Sequence, residues 1–115
     1  MKVRLETIAH ARSGDKGNLV NIGVIAYEEA LYPVLVREVS AEKVRVYFAD
    51  LIQGEVIRYE MPNIAALNFV CQEALDGGGT LSLRSDAQGK SFGGAILGLE
   101  IEVSEEEISL LNLPV

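Results

Sequence analysis

The chain has 115 residues, a formal net charge of −7 and 49% hydrophobic residues. That length supports one core, so a single domain over residues 1–115 is expected, and the apolar fraction argues against disorder. The acidic balance disfavours nucleic acid and anionic membrane as partners; no apolar run approaches the ~18 residues of a membrane-spanning helix; and the lone Cys71 rules out an intrachain disulfide and points to the reducing cytoplasm.

The opening residues, Met1-Lys2-Val3-Arg4-Leu5-Glu6, lack the apolar core of a signal peptide. Residues 3–11 are rich in β-formers and predict a strand; residues 20–27 predict a second, mostly apolar and therefore central. Between 28 and 51 the helical spacing of Leu31, Leu35, Val36 and Val39 predicts two short helices or one broken at Pro33. Ser40 reads as an N-cap with Glu42 in the first turn, although Val44-Arg45-Val46 would also suit a strand. Gln53-Gly54 is a turn, and residues 55–61 are a third strand stopped by Pro62. Asn63 then reads as the cap of a helix over 64–75, with Ile64, Leu67, Val70, Cys71 and Ala74 as its apolar stripe. Cys71 on that stripe is expected to be a small buried hydrophobe rather than a nucleophile.

Gly77-Gly78-Gly79 suits a hinge or a close approach of backbone to ligand. Residues 80–84 alternate and predict a fourth strand, with Arg84, Thr80 and Ser82 on its polar face. Asp86-Ala87-Gln88-Gly89 is a turn. Phe92, Ala95, Ile96 and Leu99 predict a helix over 90–99 despite Gly93 and Gly94. Residues 99–103 alternate like an edge strand, and Ser104-Glu105-Glu106-Glu107-Ile108 reads as a capped helical turn.

The densest chemistry lies between the first two strands. Arg12, Ser13, Asp15, Lys16, Asn18 and Asn21 fall within ten positions, beside the only histidine, His10. Gly14 and Gly17 can adopt φ > 0, and Asp15 and Asn18 can bond back to the backbone, so the turn could point successive N–H groups into an anion-binding nest. Arg12 and Lys16 would add positive charge, Arg12 in a bidentate fork. The glycine spacing does not fit the phosphate loop of nucleoside triphosphatases, and a strand rather than a helix follows. The competing reading is a hairpin loop of six or seven residues whose polar groups satisfy one another.

His10, Asp15 and Lys16 are the catalytic candidates. His10 could act as a general base or donate to an acyl carbonyl; its other reading is a hydrogen-bonded structural histidine. Ser13, His10 and Asp15 have the composition of a triad, but Gly-x-Ser-x-Gly is absent. Asp15 and Lys16 could simply pair as turn charges. Asn21, an amide inside an apolar strand, needs partners, and the glycine turn is the nearest source of them. One histidine and one cysteine supply neither a usual zinc set nor a four-cysteine cluster, so no metal and no cofactor is expected.

Three blocks carry a family resemblance. His10-Ala11-Arg12-Ser13-Gly14-Asp15-Lys16-Gly17-Asn18, with Asn21-Ile22-Gly23-Val24-Ile25-Ala26 after it, resembles the opening of the ferredoxin-like domain that ends the acyclic terpene utilisation (AtuA) family proteins. Pro62-Asn63-Ile64-Ala65-Ala66-Leu67-Asn68-Phe69 resembles its second block. Gly77-Gly78-Gly79-Thr80, Ser82-Leu83-Arg84 and Asp86-Ala87-Gln88-Gly89-Lys90 resemble its third. The resemblance implies an α+β, ferredoxin-like two-layer sandwich, named for topology and not for an iron–sulfur cluster. It also implies a place in branched acyl-CoA or terpenoid catabolism. Longer members of the family carry this domain behind a much larger one.

The expected fold is thus a mainly antiparallel sheet of at least four strands with helices on one face. Two functions remain open. In one, the chain is an accessory or interaction domain that docks a larger AtuA-type chain or a second copy of itself, a homo-oligomer being expected from the sheet face left to bury. In the other, it binds or acts on an acyl-CoA or another anionic small molecule. The ligand-binding residues would then be Arg12, Ser13, Gly14, Asp15, Lys16, Gly17, Asn18 and Asn21, joined by Gly78, Gly79 and Arg84.

Overall fold

The computed structural model describes residues 1–17, 19–49, 51–73 and 92–111. Strand β1 (Lys2–Arg4) leads through a 3₁₀ turn at Leu5–Thr7 into β2 (Ala9–Lys16), which doubles back as β3 (Leu19–Ala26). A second 3₁₀ turn, Glu29–Leu31, precedes helices α1 (Tyr32–Glu38) and α2 (Ala41–Tyr47). Next come β4 (Val56–Met61), a 3₁₀ turn at Pro62–Ile64 and β5 (Ala66–Cys71). The helical residues 92–96 (α3), β6 (Glu100–Glu102) and α4 (Glu105–Ser109) complete the described chain.

All strand pairing among the described residues is antiparallel. The larger sheet has the order β2-β3-β5-β4, and β1 pairs with β6 in a separate ribbon. Each hairpin contributes one central strand, and β3 and β5 lie side by side through pairs such as Ile22↔Phe69. Directly opposed residues share a face. Val20, Ile22 and Val24 therefore stand with Leu67, Phe69 and Cys71, and all six are fully buried. Val34 and Leu35 of α1, Val44 of α2, and Phe92 and Ile96 of α3 cover them in one core. Phe48, at the end of α2, packs on α3, its ring 4.9 Å from that of Phe92. The helices thus lie on one face of an α+β fold.

Local chemistry explains the helix boundaries. Pro33 sits in the first turn of α1, where its missing N–H is harmless. Ser40 Oγ accepts the Lys43 N–H at 3.0 Å and caps α2. Ser104 and Glu107 form a reciprocal capping box on α4. Arg58, half-buried on the helix side of β4, donates to the Val36 and Val39 carbonyls at 2.8 and 3.0 Å, tying the end of α1 to the sheet.

Three expectations need correction. The first strand does not run unbroken over 3–11, because Leu5–Thr7 turns and separates the ribbon from the main sheet. The helix expected over 64–75 is instead β5, with Asn63 inside a 3₁₀ turn rather than capping a helix. Ala65 makes the corner in the left-handed conformation (φ 53°) and its carbonyl accepts the Ala26 N–H at 2.9 Å, steering the chain into the gap between β3 and β4. The helix expected over 90–99 ends earlier: residues 97 and 98 turn, and the Gly98 N–H bonds the Ala95 carbonyl. The strand expected over 80–84 and the turn at 86–89 lie outside the described residues.

Candidate functional site: the open sheet face

The helices cover one face of the four-stranded sheet, and His10, Arg12, Gly14, Lys16 and Asn21 lie on the other. Arg12 opposes Gly23, which opposes Asn68, which opposes Tyr59, giving one cross-strand row. The neighbouring row runs Gly14, Asn21, Val70 and Ile57, and the next on the other side runs His10, Ile25, Ala66 and Met61. Lys16 and Leu19 close the β2–β3 end. A cavity of about 480 Å³ opens at the β2–β3 half, lined by residues 12–16 with Leu19, Val20, Asn21, Gly23, Asn68 and Val70.

The turn itself is shorter than expected. β2 continues through Lys16 and β3 starts at Leu19, so only Gly17 and Asn18 join them. In an extended strand successive N–H groups point in opposite directions, and no nest of adjacent amides forms over 14–16. Strand alternation also divides the motif. Arg12, Gly14, Lys16 and Asn21 belong to the open face; Ser13 and Asp15 belong to the helix-side rows, opposite Ile22 and Val20. Ser13 Oγ accepts the Gly93 N–H at 2.7 Å, which fastens α3 to β2. A Cβ on Gly93 would come within 3.0 Å of the backbone of Arg12 and Ser13, so this contact needs glycine. Asn18, Gly78, Gly79 and Arg84 lie outside the described residues.

His10 is exposed and stacks on Tyr27, with ring centroids 5.5 Å apart and planes at 27°. No carboxylate stands among the paired residues of this face, whereas Arg12 and Lys16 both do. Cys71 lies in the core, and burial pushes its thiol up to about 12, so it stays protonated and inert at neutral pH. Among the described residues there is no cluster of three metal-ligating side chains. Sequence reasoning missed Gly23, Asn68 and Val70. The signal for Asn68 is an amide in the apolar run Ala66-Leu67-Asn68-Phe69-Val70, the same signal that singles out Asn21.

Curated proteins and solved structures give no match to this chain. The family model for the AtuA ferredoxin-like domain does match, over residues 3–102 and so across both hairpins and the open face, and the chain belongs to that family.

Proposed function

We propose that this chain is a cytoplasmic accessory domain that docks a larger AtuA-type protein in branched acyl-CoA or terpenoid catabolism. The docking surface is the open sheet face. One observation carries this reading: that face exposes large apolar side chains where the opposite face buries them. Tyr59 is 50% exposed, Met61 42% and Leu19 39%, while Val20, Ile22, Val24, Leu67 and Phe69 on the helix side are at 0%. The exposed apolar pair Tyr59 and Met61, on one face of β4, supports a protein contact there. Tyr27 beyond the end of β3 and Ile64 at the β4–β5 corner add exposed apolar area near the same end of the sheet. The larger partner is inferred from the architecture of longer family members, which join the two parts in one chain.

Co-expression with an AtuA-type large chain, followed by size-exclusion chromatography, tests this. The two chains are expected to co-elute, and the double variant Tyr59→Glu, Met61→Glu to elute alone while keeping its circular-dichroism spectrum. Equal complex formation by the variant, or no complex at micromolar concentration, overturns the proposal.

A further inference from the structure

The open face changes character from one side to the other. On β4 it is apolar, with Ile57, Tyr59 and Met61. Across β2 and β3 it is polar and positively charged. Arg12 and Asn68 stand either side of Gly23 in one row, and Asn21 stands beside Gly14 in the next. Without side chains at Gly14 and Gly23, the floor drops between the guanidinium and the two carboxamides. Leu19 and Val70 supply apolar wall to the same cavity.

None of these groups has a carboxylate partner among the described residues, as is also true of Arg4, whereas the other described arginines do. Arg37, Arg45 and Arg58 each pair with a carboxylate at 2.7–2.9 Å. Among the described residues Arg12, Lys16, Asn21 and Asn68 form no such bond, although the chain carries an excess of acidic residues. A fork-shaped cation, two amide donors and a nearby ammonium match a planar anion with two acceptor oxygens, Asp15 being the one carboxylate among the lining residues and belonging to the helix-side row. Phosphate would satisfy the charge but would leave Leu19 and Val70 unused.

We propose that the Gly23 notch binds an organic monocarboxylate with a short apolar body. Arg12 takes the carboxylate, Asn68 and Asn21 donate to its oxygens, and the body lies along Leu19 and Val70. Lys16 contributes long-range attraction, which weakens as salt shortens the ~8–10 Å screening length.

The test uses the isolated full chain and amide chemical shifts, with octanoate, acetate, 1-octanol and inorganic phosphate as probes. Octanoate is expected to shift the Arg12, Gly23 and Asn68 amides saturably; acetate, octanol and phosphate are expected to bind at least about tenfold more weakly, each lacking one half of the recognition. Arg12→Gln should weaken octanoate by about tenfold or more, as expected for loss of a charge-assisted fork. Gly23→Val should abolish binding. A Cβ there meets Arg12 O at 3.9 Å and Arg12 Cγ at 4.0 Å, ordinary contacts, so branching at this position starts without a clash and the two methyls project into the notch. If Gly23→Val unfolds, Arg12→Gln still decides the matter. No shift with millimolar octanoate, equal affinity for acetate or octanol, tighter binding of phosphate, or undiminished binding by Arg12→Gln overturns the proposal. These titrations need no partner chain, so the docking proposal and this one can fail independently.

Discussion

At the residue scale, the β2–β3 hairpin depends on one backbone conformation. Gly17 has φ +62° and follows the Lys16↔Leu19 pair, leaving a two-residue connection. Tight hairpins need φ > 0 in the loop because that twist matches the strands. A Cβ on Gly17 would meet nothing within 4 Å, so the penalty for Gly17→Ala is conformational and not steric. We expect Gly17→Ala to lose about 1 kcal/mol in urea unfolding. Lys16→Ala, which only removes an exposed charge, should leave stability nearly unchanged. Equal stability of Gly17→Ala and wild type would mean that this turn does not hold the register. The residue types of the motif were legible in the sequence; their division between two faces was not. Arg12 and Ser13 are neighbours in sequence, but pairing with β3 sends one to the open face and the other to α3.

At the element scale, β6 is held by side chains as much as by strand pairing. It pairs with β1 alone among the described residues. On its free edge the Glu102 N–H donates to Glu38 Oε1 at 2.8 Å, and the Glu102 carbonyl accepts from Arg37 Nη2 at 2.8 Å. Arg37 also grips Glu107 through both Nη atoms, at 2.8 and 3.1 Å, so α1, β6 and α4 meet at one guanidinium. Arg37 and the Ser104 N–H hold the Glu107 carboxyl down at about 2, against an ordinary 4.5. A depressed carboxylate stabilises the fold above its unfolded value and loses that contribution as pH falls toward its folded value. Arg37→Met should therefore be less stable than wild type at neutral pH, with the gap closing between about 4.5 and 2. Urea midpoints measured across that range check this; a gap independent of pH would show that Glu107 is not the group involved.

The same scale shows what sequence patterns can and cannot convey. α1, α2 and the Ser40 and Ser104 caps were readable because capping chemistry is local. β5 was misread because its alternation is blurred. Ala66 and Leu67 are both buried, Asn68 and Val70 are half-buried, and Leu67, Val70 and Cys71 also fit a helical stripe. A strand flanked on both sides by others reads as an apolar run, and its type is decided by partners far along the chain. The open face was hidden for the same reason: its rows combine residues from four strands, and no local window contains them.

At the scale of the whole molecule, the sheet has a finished face and an unfinished one, and the unfinished face should close against a second copy when no larger partner is present. Symmetric pairs are the commonest way to bury such a surface, and in them the same patch meets itself across a two-fold axis. Among the described residues the charges on this face are Arg12 and Lys16, both on the outer strand β2. An axis over the edge strand β4 would bring its apolar residues against their copies while keeping the cations of β2 at the margins. Repulsion between two copies of net charge −7 would weaken the pair at low salt, so the dimer should tighten as ionic strength rises. Light scattering at micromolar concentration is expected to give twice the 12.5 kDa of the chain. Met61→Glu, which puts a carboxylate into the apolar half, should return it to the monomer mass without changing its circular dichroism. A wild-type mass of 12.5 kDa at every concentration and salt would exclude self-association through this face.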